Sequence, residues 1–339
     1  MKFITFIGTQ RSGSNLLRVM LNQLSGVSAP HPPHILKTFY PLLPSYGDLN
    51  NDANFQLLVN DICRWVNGNP VPWGDFKADS EKILSLCKQR TLPEVFSKVY
   101  IEKAKHDGAE FWCCKSMENV YYLPELEASG LNPFYIYLFR DGRDVALSFK
   151  KIIVGPKHVY NLAAKWHEEQ QLSIQLSKSV DPSRIISIKY EDFIRQPHAI
   201  MEELCAKLGI PFTESVFDYM GSSESKAAAE SGKMWTNLLK PVMNDNFNKF
   251  WNEMTDEDIR IFESVAGSSL QALGYELVFK NSEKLSFTKE QIAEFEKSDV
   301  LLRKQMVEQT DAQEKEHRRP QEILLKEIQS RPKAGVTPA

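Results

Sequence analysis

Residues 2–21, KFITFIGTQRSGSNLLRVML, constrain the fold more than any other stretch of the chain. Phe3 to Ile7 is a short run rich in β-branched and aromatic side chains, as a buried strand requires. Leu16, Leu17, Val19, Met20 and Leu21 fit the apolar side of a helix. Between them lies Gly8-Thr-Gln-Arg-Ser-Gly13-Ser14-Asn15. A strand, a glycine-bracketed loop and a helix gather free backbone N–H groups and a helix N-terminus around an anion. The Gly8-to-Gly13 spacing is that of a nucleotide-triphosphatase phosphate loop, G-x-x-x-x-G-K-[ST]. Ser14 stands where that motif has its lysine, and Asn15 where it has the Mg²⁺-binding hydroxyl. The cradle without those groups suits a shorter anion that needs no metal, with Arg11 supplying charge. A glycine-rich turn that merely joins strand to helix is the plainer alternative.

Two further strand ends carry cations. Phe111-Trp-Cys-Cys114 reads as a short buried strand that delivers Lys115. Pro133 to Phe139 is the clearest core strand and ends in Arg140-Asp-Gly-Arg-Asp144, with a helix starting near Val145. Arg140 at the strand tip and Ser148 two helical turns on can face a common anion; Asp141 and Asp144 could instead neutralise both arginines. Ligands of open parallel α/β sheets bind beyond the carboxyl ends of the strands, so loop 8–15, Lys115 and the Arg140/Ser148 pair share one edge. The net charge of −3 excludes a general polyanion-binding surface, which argues against nucleic acid as a partner.

The remaining pattern alternates strands and helices without repeats, as expected for an α/β fold with a mostly parallel sheet flanked by helices. Gly26 to Ala29 suggests a short second strand that runs into Pro30-His31-Pro32-Pro33-His34, where prolines exclude helix. Residues 45–108 read as a helical insertion, and Arg184 to Lys189 as another strand, followed by Tyr190. Residues 221–233 are expected to be a mobile loop, from their Ser, Gly, Ala and Lys content. Lys240 precedes Pro241 and is biased to extended backbone. One domain over 1–282 is expected, with 283–339 as a charged helical extension packed on the core or forming a homodimer, and 331–339 as a frayed tail. The five cysteines lack C-x-x-C spacing, which favours reduced thiols over disulfides or zinc. With no apolar run near ~20 residues and no evident signal peptide, the expectation is a cytoplasmic protein without a membrane partner.

Taken together, these motifs resemble the sulfotransferases that use 3′-phosphoadenosine 5′-phosphosulfate (PAPS). TQRSGSN resembles the family's 5′-phosphosulfate loop, and FRDGRDVALS its 3′-phosphate motif. KYEDFIRQP resembles the segment whose tyrosine lies near the nucleotide, and LKPVMN a lysine-proline element of the tyrosylprotein and bacterial branches. The resemblance spans residues 2 to about 276 and implies a phosphate-loop-like three-layer fold with no metal. It assigns Gln10, Arg11, Ser12, Gly13, Ser14 and Asn15 to the phosphosulfate, and Arg140 and Ser148 to the 3′-phosphate. Tyr190 and Lys240 would complete the nucleotide site. Lys115 would neutralise charge on the leaving phosphate.

The proton acceptor is where the chain departs from the family. Met117 occupies the place of the cytosolic branch's histidine, and the PHPPH segment that of the glutamate loop in the other branches. His31, nearest that glutamate position, and His34 are therefore the candidate bases, with Glu118 next. An imidazole of ordinary pKa suits a hydroxyl proton at neutral pH. The expected acceptor is a small molecule; Phe55, Trp65, Trp73 and Phe76 would suit an apolar one. A phosphate-loop kinase and a non-catalytic nucleotide-binding relative are the competing readings.

Overall fold

The computed structural model describes residues 1–280 and 283–331. The chain runs β1 (Lys2–Ile7), α1 (Ser14–Leu21), β2 (Val27–Ser28), α2 (Ile35–Phe39), α3 (Asp52–Asn67), α4 (Ser80–Leu86) and α5 (Leu92–His106). Then come β3 (Phe111–Cys114), α6 (Leu123–Ala128), β4 (Phe134–Phe139), α7 (Gly142–Lys150), α8 (Val159–Ser179) and β5 (Ile185–Lys189). Last are α9 (Tyr190–Arg195), α10 (Pro197–Leu208), α11 (Ser223–Ser231), α12 (Phe250–Glu253), α13 (Asp256–Ala272), α14 (Lys289–Gln309) and α15 (Ala312–Ser330).

The five strands pair in the order β2-β3-β1-β4-β5, and every pairing is parallel. Thr5 lies opposite Cys114 on one side of β1, and Ile7 opposite Tyr137 on the other. The order reverses at β1, and such a switch point opens a crevice beyond the strand ends. Loop 8–15, Lys115 and Arg140 therefore emerge side by side, as expected.

Alternate residues of the strands feed two layers. Ile4, Phe6, Ile136 and Leu138 pack with Leu17 and Met20 of α1 and with Met201 and Leu204 of α10. On the opposite face, Phe3 stacks on Trp112 at 3.7 Å and meets Phe96 of α5, while Ile7, Tyr135 and Tyr137 meet Leu176 of α8. Each such apolar side chain contributes about 1.5–3 kcal/mol on full burial. The helical insertion is thus a covering layer of the sheet. Phe55 and Trp73 belong to its core and Phe76 packs against it, so they do not mark an acceptor pocket.

Residues 221–233 do not form a mobile loop. They hold α11, whose start is capped by the Ser222 hydroxyl and whose Ser225 and Ala228 are fully buried. The glycines that suggested a loop, Gly221 and Gly232, only bracket the helix, and Ala-rich sequence between them favours it. In the extension, α15 packs on the body of the same chain: Leu324 and Ile328 join the core around α3. Arg331 and Glu327 form ion pairs with Asp61 and Arg64 respectively. Residues 281, 282 and 332–339, which include the expected domain boundary and most of the tail, lie outside the described residues. No helix among the described residues is long and apolar enough to cross a membrane.

Candidate active site

The loop after β1 is built so that only glycine fits at its ends. A Cβ on Gly8 (φ 110°) would lie 2.3 Å from the Leu138 carbonyl oxygen, and one on Gly13 (φ 85°) 2.6 Å from the Tyr190 ring. Arg11 also takes the left-handed region, at φ 73°. Helix α1 then starts at Ser14 with no side-chain cap and no acidic residue in its first turn. Its N–H groups and the positive end of its dipole remain available for a ligand. The buried Ser12 hydroxyl has no hydrogen-bond partner. These features fit an anion, and the bare linking turn does not account for them.

Arg11 and Arg140 meet beside this loop. Arg11 Nε donates to Ser148 Oγ at 3.0 Å, and Arg140 Nη1 donates to the Arg11 carbonyl at 3.2 Å. The Arg140 guanidinium lies 4.5 Å from the centre of the Tyr190 ring, whose hydroxyl accepts from Asn246 Nδ2 at 2.7 Å. Asp144 stands only 3.5 Å from Arg140 and also accepts from the Phe250 N–H, while Arg140 Nε is buried without a partner. Arg143, by contrast, is consumed by Asp141 at 2.7 Å and Glu263 at 2.6 Å. Internal neutralisation thus holds for Arg143, whereas Arg140 Nη2 also donates to the Asn246 carbonyl at 2.8 Å and only Nε is left without a partner. Burial, and then the positive Arg140, push Arg11 down to about 10, a strain that a bound anion would relieve.

The second cluster lies around Lys115. Its side chain is 94% buried (6% exposed) and forms no ion pair among the described residues. Burial, followed by the charges of Arg18 and Arg11, brings it down to about 7. Arg18 carried no signal in the sequence beyond being a charge within an apolar helix pattern. It is fully buried, donates to the Ala29 carbonyl at 2.7 Å and pairs with Glu224 of α11 at 2.8 Å. It thereby fixes the start of the PHPPH segment.

That segment brings both histidines to the cavity wall. His34, in left-handed backbone at φ 56°, places Nδ1 2.8 Å from Ser116 Oγ and 3.4 Å from Glu118 Oε2. Burial outweighs the nearby Glu118 and takes His34 down to about 4. His31 is nearly fully buried, edge-on to Trp235 at 4.9 Å, and neither ring nitrogen has a partner. Burial, then Lys115 and Arg18, hold its pKa well below the ordinary value. Its carbonyl accepts from Asn69 and from Trp73 Nε1, so its backbone is held. Glu118 is occupied: Gln10 Nε2 donates to it at 2.9 Å, and Lys37 pairs with it. Burial would raise the Glu118 pKa, but His34, Lys37 and Lys165 hold it below the usual carboxylate value. Met117 is fully buried in the core.

One cavity of about 910 Å³ joins the two clusters. Gln10, Arg11, Gly13, Ser14, Asn15, His31, His34, Lys115, Arg140, Ser148 and Tyr190 all line it. Ser12 is buried beneath the loop and Lys240 is not on the wall. Lys240 is extended before Pro241, as expected, but the Tyr219 hydroxyl donates to its carbonyl and its side chain is exposed. Lys37, Lys151, Lys165 and Lys249 are further cations on the wall, and none was expected there. Of the insertion's aromatics, Trp65 reaches the cavity. Arg318 and Gln321 arrive from α15, and short-range pattern could not place them.

A parallel sheet with a phosphate-type loop at its switch point, and cations on the neighbouring strand ends, defines a phosphate-loop-like α/β fold. A family model described as the sulfotransferase family matches residues 4–214. The chain belongs to the sulfotransferase family. It is similar to protein-tyrosine sulfotransferase A of Caenorhabditis elegans, with 26% identity over 169 residues, 48% of this chain and 43% of that protein. The chain thus spans less than half the length of that curated relative. Among solved structures, the sulfotransferase domain of the Synechococcus PCC 7002 olefin synthase is 20% identical over 81% of this chain and 96% of that one, with a TM-score of 0.57. The sulfotransferase domain from the curacin biosynthetic pathway is 21% identical over 82% and 99%, with a TM-score of 0.52. At these identities the likeness shows the shared fold.

Proposed function

We propose that the protein transfers the sulfuryl group of PAPS to a hydroxyl, or an amine, of a small-molecule acceptor. The observation that carries this reading is the joining of two cation clusters in one cavity: Arg11, Arg140 and Ser148 at one end, and Lys115 beside the loop. The glycine cradle at Gly13 and the uncapped start of α1 fit a phosphosulfate, and the unpartnered Nε of Arg140 fits a second phosphate. PAPS supplies an activated sulfuryl group on a good leaving phosphate. The loop N–H groups and Arg11 would hold the 5′ end, Arg140 and Ser148 the 3′-phosphate, and Tyr190 the nucleotide face.

Protonated Lys115 would stabilise the charge that collects on the phosphate oxygen as the sulfur–oxygen bond breaks. The acceptor oxygen forms the new bond to sulfur in the same in-line step, and its proton passes to a base. His34 is better placed than His31 for that role. Its Nδ1 is held by Ser116 and Glu118, which leaves Nε2 as the acceptor, and its lowered pKa keeps it neutral. Both nitrogens of His31 are sealed in the wall. The product nucleotide is 3′,5′-ADP, and the acceptor leaves as its sulfate ester or sulfamate.

A cavity of about 910 Å³ that is partly walled by α15 supports a small acceptor, although the curated relative is named for protein tyrosine. The five free cysteines support a reducing, cytoplasmic setting. A kinase reading lacks the motif's lysine, replaced by Ser14, and its Mg²⁺-binding hydroxyl, replaced by Asn15. Release of 3′,5′-ADP from PAPS across a panel of alcohols, phenols, sugars and a tyrosyl peptide tests the function. Turnover that needs an acceptor and collapses in Lys115→Ala and His34→Ala is expected; release indifferent to Lys115→Ala removes it from the mechanism. Turnover of the peptide alone would replace the small acceptor by a protein.

A further inference from the structure

Helix α15 lies beyond the residues matched by the family model, yet it forms part of the cavity wall. Its position is fixed at several points. Gln321 Nε2 donates to the Trp65 carbonyl at 2.9 Å, and Arg64 pairs with Glu327 at 2.6 Å. Pro320 closes on Gly68 so tightly that a Cβ there would lie 3.2 Å from the proline Cβ. Further up the helix, Glu314 is buried against Gly232, next to the turn that carries Trp235 onto His31. The helix is therefore a built wall of the histidine end of the cavity.

This end carries cations beyond those assigned to the nucleotide, each with a carboxylate partner. Lys37, Lys165 and Arg318 line it, and the carboxylate that shares the lining is Glu118. Glu169 behind Lys165 and Glu314 behind Arg318 lie outside the lining. Arg318 donates through Nη2 to Glu314 at 2.8 Å, while its Nε is buried with no partner. Its charge is felt at both His31 and His34, so it lies within electrostatic reach of where an acceptor hydroxyl must be activated. Trp65, Trp235, Pro32, Pro33 and Pro70 supply apolar wall between these charges.

We propose that α15 completes the acceptor site and that Arg318 selects acceptors with an apolar body and a terminal carboxylate. A guanidinium is the side chain best shaped to hold a carboxylate in two parallel hydrogen bonds. The apolar walls would hold the body while the acceptor hydroxyl reaches His34 and Lys115. Arg318 is thus a specificity residue; it takes no part in the transfer itself. This rests on the sulfotransferase reading above.

The test is calorimetry on the full chain saturated with 3′,5′-ADP, with ω-hydroxydecanoate and its methyl ester as probes. The acid should bind roughly tenfold or more tightly than the ester, the worth of one charge-assisted contact. Arg318→Ala should bring that ratio to about one, and Arg318→Lys should keep part of it, because a point charge replaces the fork. Equal binding of the two probes to the unaltered protein, or binding of neither, overturns the proposal. So does an equal weakening of acid and ester in Arg318→Ala, which would mark a purely structural role. The first titration separates the two levels: if 3′,5′-ADP itself does not bind, the sulfotransferase reading fails and the proposal falls with it. Normal 3′,5′-ADP binding without the acid preference sinks the Arg318 assignment alone.

Discussion

Lys115 offers the sharpest perturbation, because its charge should depend on whether an anion is present. In the ligand-free protein, burial and the neighbouring Arg18 and Arg11 bring it to about 7, against an ordinary value of 10.5. A nucleotide phosphate beside it would favour the charged form and return it toward the ordinary value. Binding of 3′,5′-ADP must then take up protons where the free lysine is neutral and the bound one charged. From a free value near 7, uptake is about 0.1 proton at pH 6, about 0.5 at pH 7 and about 0.9 at pH 8. By linkage, affinity falls as the pH rises through this window, and it should be about tenfold weaker at pH 8 than at pH 6 from this residue alone. The assay is calorimetry of 3′,5′-ADP binding in buffers of different ionisation enthalpy. The ligand's own phosphate titrates near pH ~6, so the informative quantity is the difference between the unaltered protein and Lys115→Met. Arg11, at about 10, adds uptake only at higher pH. Identical proton uptake in both proteins, or an uptake that begins only above pH ~9, where a lysine of ordinary pKa starts to lose its proton, would refute the claim that Lys115 is desolvated and faces the anion.

Two further outcomes follow from the same geometry. The pH profile of kcat/KM, which reports groups of the free enzyme, should be flat between about 4 and about 7, the values of His34 and Lys115. Activity falls below that window as His34 gains a proton and above it as Lys115 loses one, and an acid limb near the ordinary imidazole value would exclude His34 in this environment. Ile328 of α15 is fully buried in the core, so Ile328→Ala should lower unfolding free energy by about 2–4 kcal/mol in a denaturant titration. A loss under about 0.5 kcal/mol, the usual range for an exposed site, would mean that α15 is not docked on α3 in solution.

The legible parts of this protein were those with a local cause. Strand β4 follows from an unbroken apolar and aromatic run. The loop after β1 is legible because positive φ and close approach both demand glycine. Residues 221–233 misled because Ser and Gly were weighed as loop formers, whereas the buried pairing of Glu224 with Arg18 ties the segment down. Lys240 misled for a related reason: its extended backbone follows from Pro241, but the direction of its side chain is set by how that backbone lies on Tyr219. Arg18, Asn246 and Arg318 were invisible because each reaches its role through contacts remote in sequence. The choice between the histidines likewise turns on Ser116 and Glu118, which only the fold brings to His34.

At the centre of this reading, Arg140 and Ser148 would hold a 3′-phosphate beside a phosphosulfate loop that carries Arg11. The most direct measurement compares binding of 3′,5′-ADP, ADP and ATP-Mg to the unaltered protein and to Arg140→Ala. 3′,5′-ADP should bind more tightly than ADP by about 10- to 100-fold, as one to two charge-assisted contacts require, and Arg140→Ala should erase most of that difference. Tight binding of ATP-Mg with no binding of 3′,5′-ADP would contradict this reading.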